Sequence, residues 1–296
     1  MADINRTTNN MALPSDISSE IIQKTQEESA VMRLSRKVEL PGRGLTIPVI
    51  TGDPTAEWVA ETGVKPVSNG TPGTKLMQAF KIAVIETFSK EFTRDADALY
   101  EAMVQRLPGA LALTFDKTII GATPAPSQTN FDTLAGCTQV SIANANNGTY
   151  LGLVTADSNI AQAGGLMNGV AMGAQGRSLL LSAVDTTGRP IFMPSANDGI
   201  VGRVLGSDVY FNRGLYVAGT SPAANIVGIA GDWSKAIFGT VAGVEISFTD
   251  TASLTVGSGE SASTINLWQQ NMVAVRAEIE VGFRADTACF NLLKDA

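Results

Sequence analysis

Histidine is absent from the 296 residues, and the two cysteines, Cys137 and Cys289, stand far apart with no C-x-x-C spacing. The groups left to do chemistry are carboxylates, serines beside lysines and one glycine-rich run. Glu57 with Glu61, Asp95 with Asp97, and Glu278 with Glu280 are the carboxylate pairs, and a glycosidase needs two such groups across a cleft. Ser89-Lys90 and Ser234-Lys235 place a hydroxyl next to an amine. The run from Ala171 to Ser178 has the outline of a phosphate loop, in which a leading glycine lets the backbone approach and a lysine holds the phosphates.

Each of these signals has a plainer explanation. Ala171 replaces the leading glycine and Arg177 the lysine, so the run reads as a glycine-rich turn. Sequence neighbours such as Ser89-Lys90 need not face each other, and there is no G-x-S-x-G elbow or S-x-x-K spacing. Asp95 and Asp97 sit where acids complement a helix start, while Glu278 and Glu280 alternate with Arg276 and Arg284 as a solvated or interfacial charge ladder. Without histidine there is no Ser-His-Asp triad, no Cys-His pair and no H-E-x-x-H zinc helix. Hence no catalytic, cofactor-binding or metal-binding residue is assigned, no cofactor is expected, and the chain reads as structural rather than enzymatic. Trp58, Trp233 and Trp268 read as packing or interface anchors.

Composition points the same way. Charged residues make up 17% of the chain, against about 25% in ordinary soluble proteins. The deficit is uneven: 28 of the 49 charged side chains fall within residues 1–117, and between Thr118 and Val184 only Asp132, Asp157 and Arg177 are charged. That stretch is rich in Gly, Asn, Thr and Ser, so it is no membrane span. A formal charge of −7 and a pI near 4.7 argue against tight binding to a nucleic-acid backbone. Met1 to Asn10 lacks an apolar signal core, so synthesis in a reducing cytoplasm with free thiols is expected, and the N-x-Thr triplets at Asn5, Asn69 and Asn147 carry no weight.

The elements that must position these residues follow from periodicity. Residues 1–14 read as a flexible polar arm, and 18–32 as a short amphipathic helix begun by Ser15-Asp16. Leu45, Ile47 and Val49 alternate as a strand. Residues 52–75, rich in Gly, Pro, Thr and Asn, read as a two-stranded excursion with little core of its own. Phe80, Ile82, Val84 and Phe88 mark a returning strand. Leu99, Met103, Leu107, Leu111, Phe115 and Ile119 recur every four residues as a long helix, with a kink or break expected near Leu107 because Pro108 follows. From Ala122 to about Glu260, short apolar runs (140–142, 179–181, 201–205, 226–229, 244–248) between turns read as mixed α+β. Val273, Val275, Ala277, Ile279, Val281 and Phe283 form the clearest strand.

Taken in order, these segments resemble the major capsid proteins of tailed bacteriophages, a fold shared with encapsulins. The resemblance runs from about Ser15 to Leu293. It rests on Ser18 to Ile22, Glu28 to Val31, Leu45 to Pro48, Ala56 to Glu61, Phe80 to Ala83, Phe88 to Phe92, Phe115-Asp116 and Ile120-Gly121, then on Leu166 to Asn168, Thr187 to Pro190, Gly202 to Val209, Gly231 to Lys235 and Ala288 to Phe290. Each is degenerate alone; the order and spacing carry the signal.

The resemblance implies an α+β fold with an N-terminal arm (1–40), an extended E-loop with flanking strands (41–80), a P-domain with a long spine helix and long β-strands (81–122), an A-domain (123–260) and a C-terminal strand returning to the P-domain (261–296). It implies self-assembly into pentamers and hexamers of an icosahedral shell around double-stranded DNA, contacted weakly and without sequence preference. The virion capsid is the implied location, the bacterial cytoplasm the site of assembly, and no membrane is involved. A scaffolding protein, a portal and a decoration protein are partners the family offers. A match that starts near Met1 implies a separate scaffold or unaided assembly, and Lys65 and Lys75 are candidate donors for an inter-subunit crosslink of the kind some relatives form. An encapsulin-like compartment is the rival within the fold, and a carboxylate-based hydrolase the rival outside it.

Overall fold

The computed structural model describes residues 29–42, 44–52, 56–59, 61, 64–65, 67, 71–89, 96–127, 129–143, 148–185, 187–192, 202–220, 223–241, 245–257 and 263–296, with backbone alone at 48–52, 71–72 and 96–105. The expected arm over 1–14 and the start of the expected helix over 18–32 lie outside these residues. Helix α1 (Ala30–Leu34) is capped by Ser29, whose hydroxyl accepts the Met32 amide.

Strand β1 (Arg36–Glu39) leads into β2 (Leu45–Gly52) and β3 (Thr71–Met77), an antiparallel ribbon in register from Leu45 opposite Met77. This is the two-stranded excursion read from the turn residues, with legs reaching back to 45 and 77. Gly44 sits at its base with φ +88°, where a Cβ would come within 2.6 Å of the Met77 carbonyl, so only glycine fits. Strand β4 (Phe80–Ser89) follows, then helix α2 (Ala96–Ile120).

Helix α2 runs through Pro108 without a break, so of the kink or break expected near Leu107 the break does not form. The proline removes one backbone hydrogen bond, a cost of about 3 kcal/mol. Leu107, next to the proline, and Leu111, Phe115 and Ile119, beyond it, are each no more than 2% exposed and hold this part of the helix against the core. Burial around the proline thus outweighs the lost bond.

Beyond α2 come β5 (Thr138–Ser141), α3 (Gly148–Gln162), β6 (Gly169–Met172), α4 (Ala174–Ser182), β7 (Arg203–Val204), β8 (Ser207–Phe211) and β9 (Ile226–Gly231). The chain closes with β10 (Ala236–Thr240), β11 (Glu245–Thr249), the hairpin β12 (Ser253–Val256) and β13 (Ser263–Asn266), the long β14 (Met272–Ala285) and β15 (Phe290–Lys294).

Strand β14 organises the first sheet. Strand β4 pairs antiparallel along one side from Met272 to Val281; β11 and β10 share the other side, opposite Ala274–Glu278 and Val281–Ala285, and β1 adds parallel to β10. The second sheet has the order β5-β15-β9-β6-β8-β7. The expected division at 260/261 therefore cuts across the pairing, since β10 and β11 join β14 while β15 joins β5 and β9.

Alternate residues of β14 face α2, where Phe115 meets Phe283 edge-on at 6.0 Å and Phe131 at 6.5 Å. A second core of Ile142, Leu153, Ile160, Val170, Met172, Leu180 and Leu293 fills the space between the second sheet and helices α3 and α4.

Candidate functional site

The ribbon β2–β3 projects from the body with almost no core. Between its two strands the described apolar side chains face solvent: Trp58 is 105% exposed, Val64 96% and Val67 89%, with Val59 also exposed. Glu57, Glu61 and Lys65 lie on the same extension and are exposed, so that carboxylate pair lines no cleft.

The base of the ribbon is bolted down. Arg284, on β14, donates through Nε to the Leu76 carbonyl at 2.9 Å, through Nη1 to Asp132 Oδ1 at 2.8 Å, and through Nη2 to the Thr129 carbonyl at 2.6 Å and again to Leu76. Asp132 Oδ2 accepts the Ala285 amide at 3.2 Å. Lys75 adds a looser contact, 3.8 Å from Asp132 and 3.4 Å from the Ala285 carbonyl, which puts this candidate crosslink donor at the foot of the ribbon. Arg284 is 7% exposed and so is no rung of a solvated ladder, as its alternation with Glu278 and Glu280 had suggested. The ladder itself spans two strands: Lys81 of β4 lies 3.2 Å from Glu278 and 3.4 Å from Glu280, and Arg276 lies 3.5 Å from Glu278. The Lys81 hydrogen bond holds the Glu278 carboxyl below its ordinary value, and the same bond raises the Lys81 ammonium. These carboxylates are committed to ion pairs.

Two further polar knots went unread in the sequence. Asp116, buried on α2, accepts the Ser29 hydroxyl and the Ala30 amide and so moors the start of α1. Asp232 accepts from Leu166 N, Asn168 Nδ2, Ser234 N and Ser234 Oγ, while Asn168 Oδ1 accepts Trp233 N. This second knot lies at the seam of the two sheets and joins two of the segments that carry the resemblance.

The remaining candidates are placed as follows. Ser234 gives its hydroxyl to Asp232 and Lys235 donates to the Gly164 carbonyl at 3.1 Å, so they do not act together. Lys90, Asp95 and the Asp97 side chain fall outside the described residues. Ala171 to Ser178 forms the end of β6, a single-residue connection at Gly173 and the start of α4, with Ala171 fully buried. Cys137 and Cys289 are buried free thiols. Among the described residues no cluster suits a metal ion, and no helix is long and apolar enough to cross a membrane.

The second sheet also presents apolar surface. Tyr150, Leu151 and Val154 share one face of α3 and are 40%, 55% and 39% exposed, and nearby in sequence Leu166 is 74% exposed. Together with the ribbon, the described surface carries exposed apolar side chains in two places.

Comparison with known proteins gives a consistent result. The family model described as Phage capsid family matches residues 9–293. The chain is 30% identical over 276 residues to the probable major capsid protein gp17 of Mycobacterium phage D29, covering 90% of this chain and 84% of that one. It is 27% identical to the major capsid protein of Staphylococcus phage 80alpha, covering 96% and 85%. A solved structure from Mycobacterium phage Cain superposes with a TM-score of 0.69 at 23% identity, covering 90% of each chain.

Proposed function

The chain belongs to the phage capsid family, and from that premise we propose how its parts build a shell. It is a major capsid protein: copies of it associate into the head shell of a tailed phage. Its work is association, and the virion capsid is where it acts.

The observation that carries this reading is the exposure of Trp58, Val64 and Val67 on a ribbon with no core of its own. Burying each such side chain is worth about 1.5–3 kcal/mol, and within one chain that stabilisation is not collected. Laid across a neighbouring copy, the ribbon becomes an E-loop and the apolar surface is covered. The α3 face with Tyr150, Leu151 and Val154 belongs, on the same reading, to an A-domain that meets its copies at the centres of pentamers and hexamers. Helix α2 and strand β14 form the P-domain spine, and the segment before Ser29 acts as an arm. A scaffold, a portal and a decoration protein are further partners in this reading, with assembly in the host cytoplasm. The packaged double-stranded DNA meets a chain of net charge −7, so contact is weak and unspecific.

Electron microscopy of the purified protein over a concentration series tests this. Rings, capsomers or closed shells are expected; monodisperse monomers at every concentration would overturn it. DNA binding by the unassembled protein is expected to be weak with little salt dependence, and a tight, salt-sensitive complex would contradict the assigned relation to the genome.

A further inference from the structure

Lys75 links three parts of the chain loosely, through Asp132 at 3.8 Å and the Ala285 carbonyl at 3.4 Å, and Arg284 joins the same three more tightly. It sits on β14, grips the end of the ribbon at the Leu76 carbonyl, and holds the segment after α2 through Thr129 and Asp132. Met77, fully buried, is the next residue, and from Thr74 to Leu76 the side chains are exposed. The ribbon thus leaves the body at Leu76–Met77, and the guanidinium is the last rigid polar contact before it does. Lys75, one residue further out and 47% exposed, adds only a loose pair.

We infer that Arg284 is a positioning residue for shell assembly: its guanidinium clamp fixes the angle at which the β2–β3 ribbon leaves the body, and so which shell curvature the subunits adopt. This rests on the shell-forming reading above. The leverage is simple. Eight residues of strand reach about 25 Å, so a tilt of about 10° at the base moves the far end by about 4 Å, the whole range of an apolar contact. Shells of one size require every copy to present its ribbon alike. A planar fork with five donors fixes direction in a way that a single ammonium on a flexible stem does not. Arg284 itself is 7% exposed, so displacing the guanidinium breaks its bonds to the Leu76 and Thr129 carbonyls from the buried side.

Arg284→Lys, which keeps the charge and loses the fork, is the test. Wild type, this variant and Ile160→Val, a core change on α3 beneath the second sheet that lowers stability without touching the ribbon, are assembled side by side and sized by electron microscopy. The expected result is one diameter for wild type and Ile160→Val, and loss of the single-diameter peak in favour of mixed sizes and open sheets for Arg284→Lys. Uniform shells from Arg284→Lys, or equal broadening from Ile160→Val, would overturn the inference. Failure of wild type to form shells counts instead against the function proposed above. If Arg284→Lys does not fold, Asp132→Asn, which weakens the same clamp, takes its place with the same scoring. Hydrogen exchange of amides 73–78 in the unassembled variant is expected to quicken, and unchanged exchange there would also overturn it.

Discussion

The Ser29 hydroxyl donates to Asp116 Oδ1 at 2.6 Å although 87 residues of chain separate the two. The Ala30 amide reaches the other oxygen at 3.1 Å, and both Ser29 and Asp116 are fully buried. Burial drives the carboxyl up from 3.8 to about 7, against the opposing donors of Ser29, Ala30 and Val31. A carboxyl raised in the folded state binds its proton more tightly folded than unfolded. Its contribution to stability is therefore fully present below about pH 4 and is lost as pH rises through about 7. Wild type is expected to lose about 2–3 kcal/mol of this contribution between about pH 5 and pH 8. Asp116→Asn, which cannot ionise, should lack that slope in thermal melts. Identical slopes in the two proteins would remove Asp116 as the cause.

Asp232 is the other polar centre whose loss has a defined cost. It is 6% exposed, and four donors from Leu166, Asn168 and Ser234 end on it. Asp232→Ala strands them and frees Asn168, which holds the Trp233 amide at 2.9 Å. A loss of about 3–5 kcal/mol is expected, with Asp232→Asn losing less because one acceptor oxygen remains. Chemical denaturation of the unassembled chain measures both, and near-wild-type stability of the alanine variant would show that water replaces the carboxylate without penalty.

These two knots explain what the sequence could and could not reveal. Strand β14 was legible because six apolar residues alternate without interruption, although its opposite face is largely covered as well, with Ala274, Glu278 and Arg284 buried. The ribbon was legible from its turn residues. Pro108 misled because local propensity takes no account of a helix pinned at Leu107 and Leu111 on both sides. The apolar run 179–181 is part of helix α4, where Leu180 is buried and Leu181 is 40% exposed, and three residues are too few to separate a period of two from 3.6. Arg284 read as a rung of a solvated or interfacial ladder because alternation gives a side chain's face but not what covers that face, and here the covering is the ribbon's foot, 208 residues earlier in the chain. Asp116 follows Phe115 on a helix otherwise turned to the core, and its only sequence signal is a charge where an apolar residue would be at home.

The thiols offer a separate check on packing. Burial pushes the Cys137 thiol up to about 12, with the Asp286 carboxylate adding to it, and burial likewise raises Cys289, against the opposing effect of Lys235 3.4 Å away. Reactivity needs the thiolate and access to it. Neither cysteine is therefore expected to react with a thiol reagent at about pH 8 in the folded chain, and both should label at the rate of unfolding. Rapid labelling of either one in native protein, with the far-ultraviolet spectrum unchanged, would contradict the burial described for it.

Trp58 reports on assembly directly. At 105% exposure its indole is open to solvent in the single chain, whereas Trp233 is 1% exposed and donates to the Gly169 carbonyl at 2.9 Å. A buried indole removes about 150–250 Å² of surface from water, worth on the order of 4 kcal/mol at the usual coefficient, so the ribbon's docking should centre on it. Acrylamide quenching of the unassembled protein is expected to reach Trp58 freely, and this quenchable fraction should disappear when shells form. Trp58→Phe serves as the reference: it should lack the assembly-dependent fraction and should raise the protein concentration at which shells appear, by about tenfold for each 1.4 kcal/mol lost per contact. A Trp58 signal that stays fully quenchable in closed shells would mean that the ribbon does not lie on a neighbouring copy.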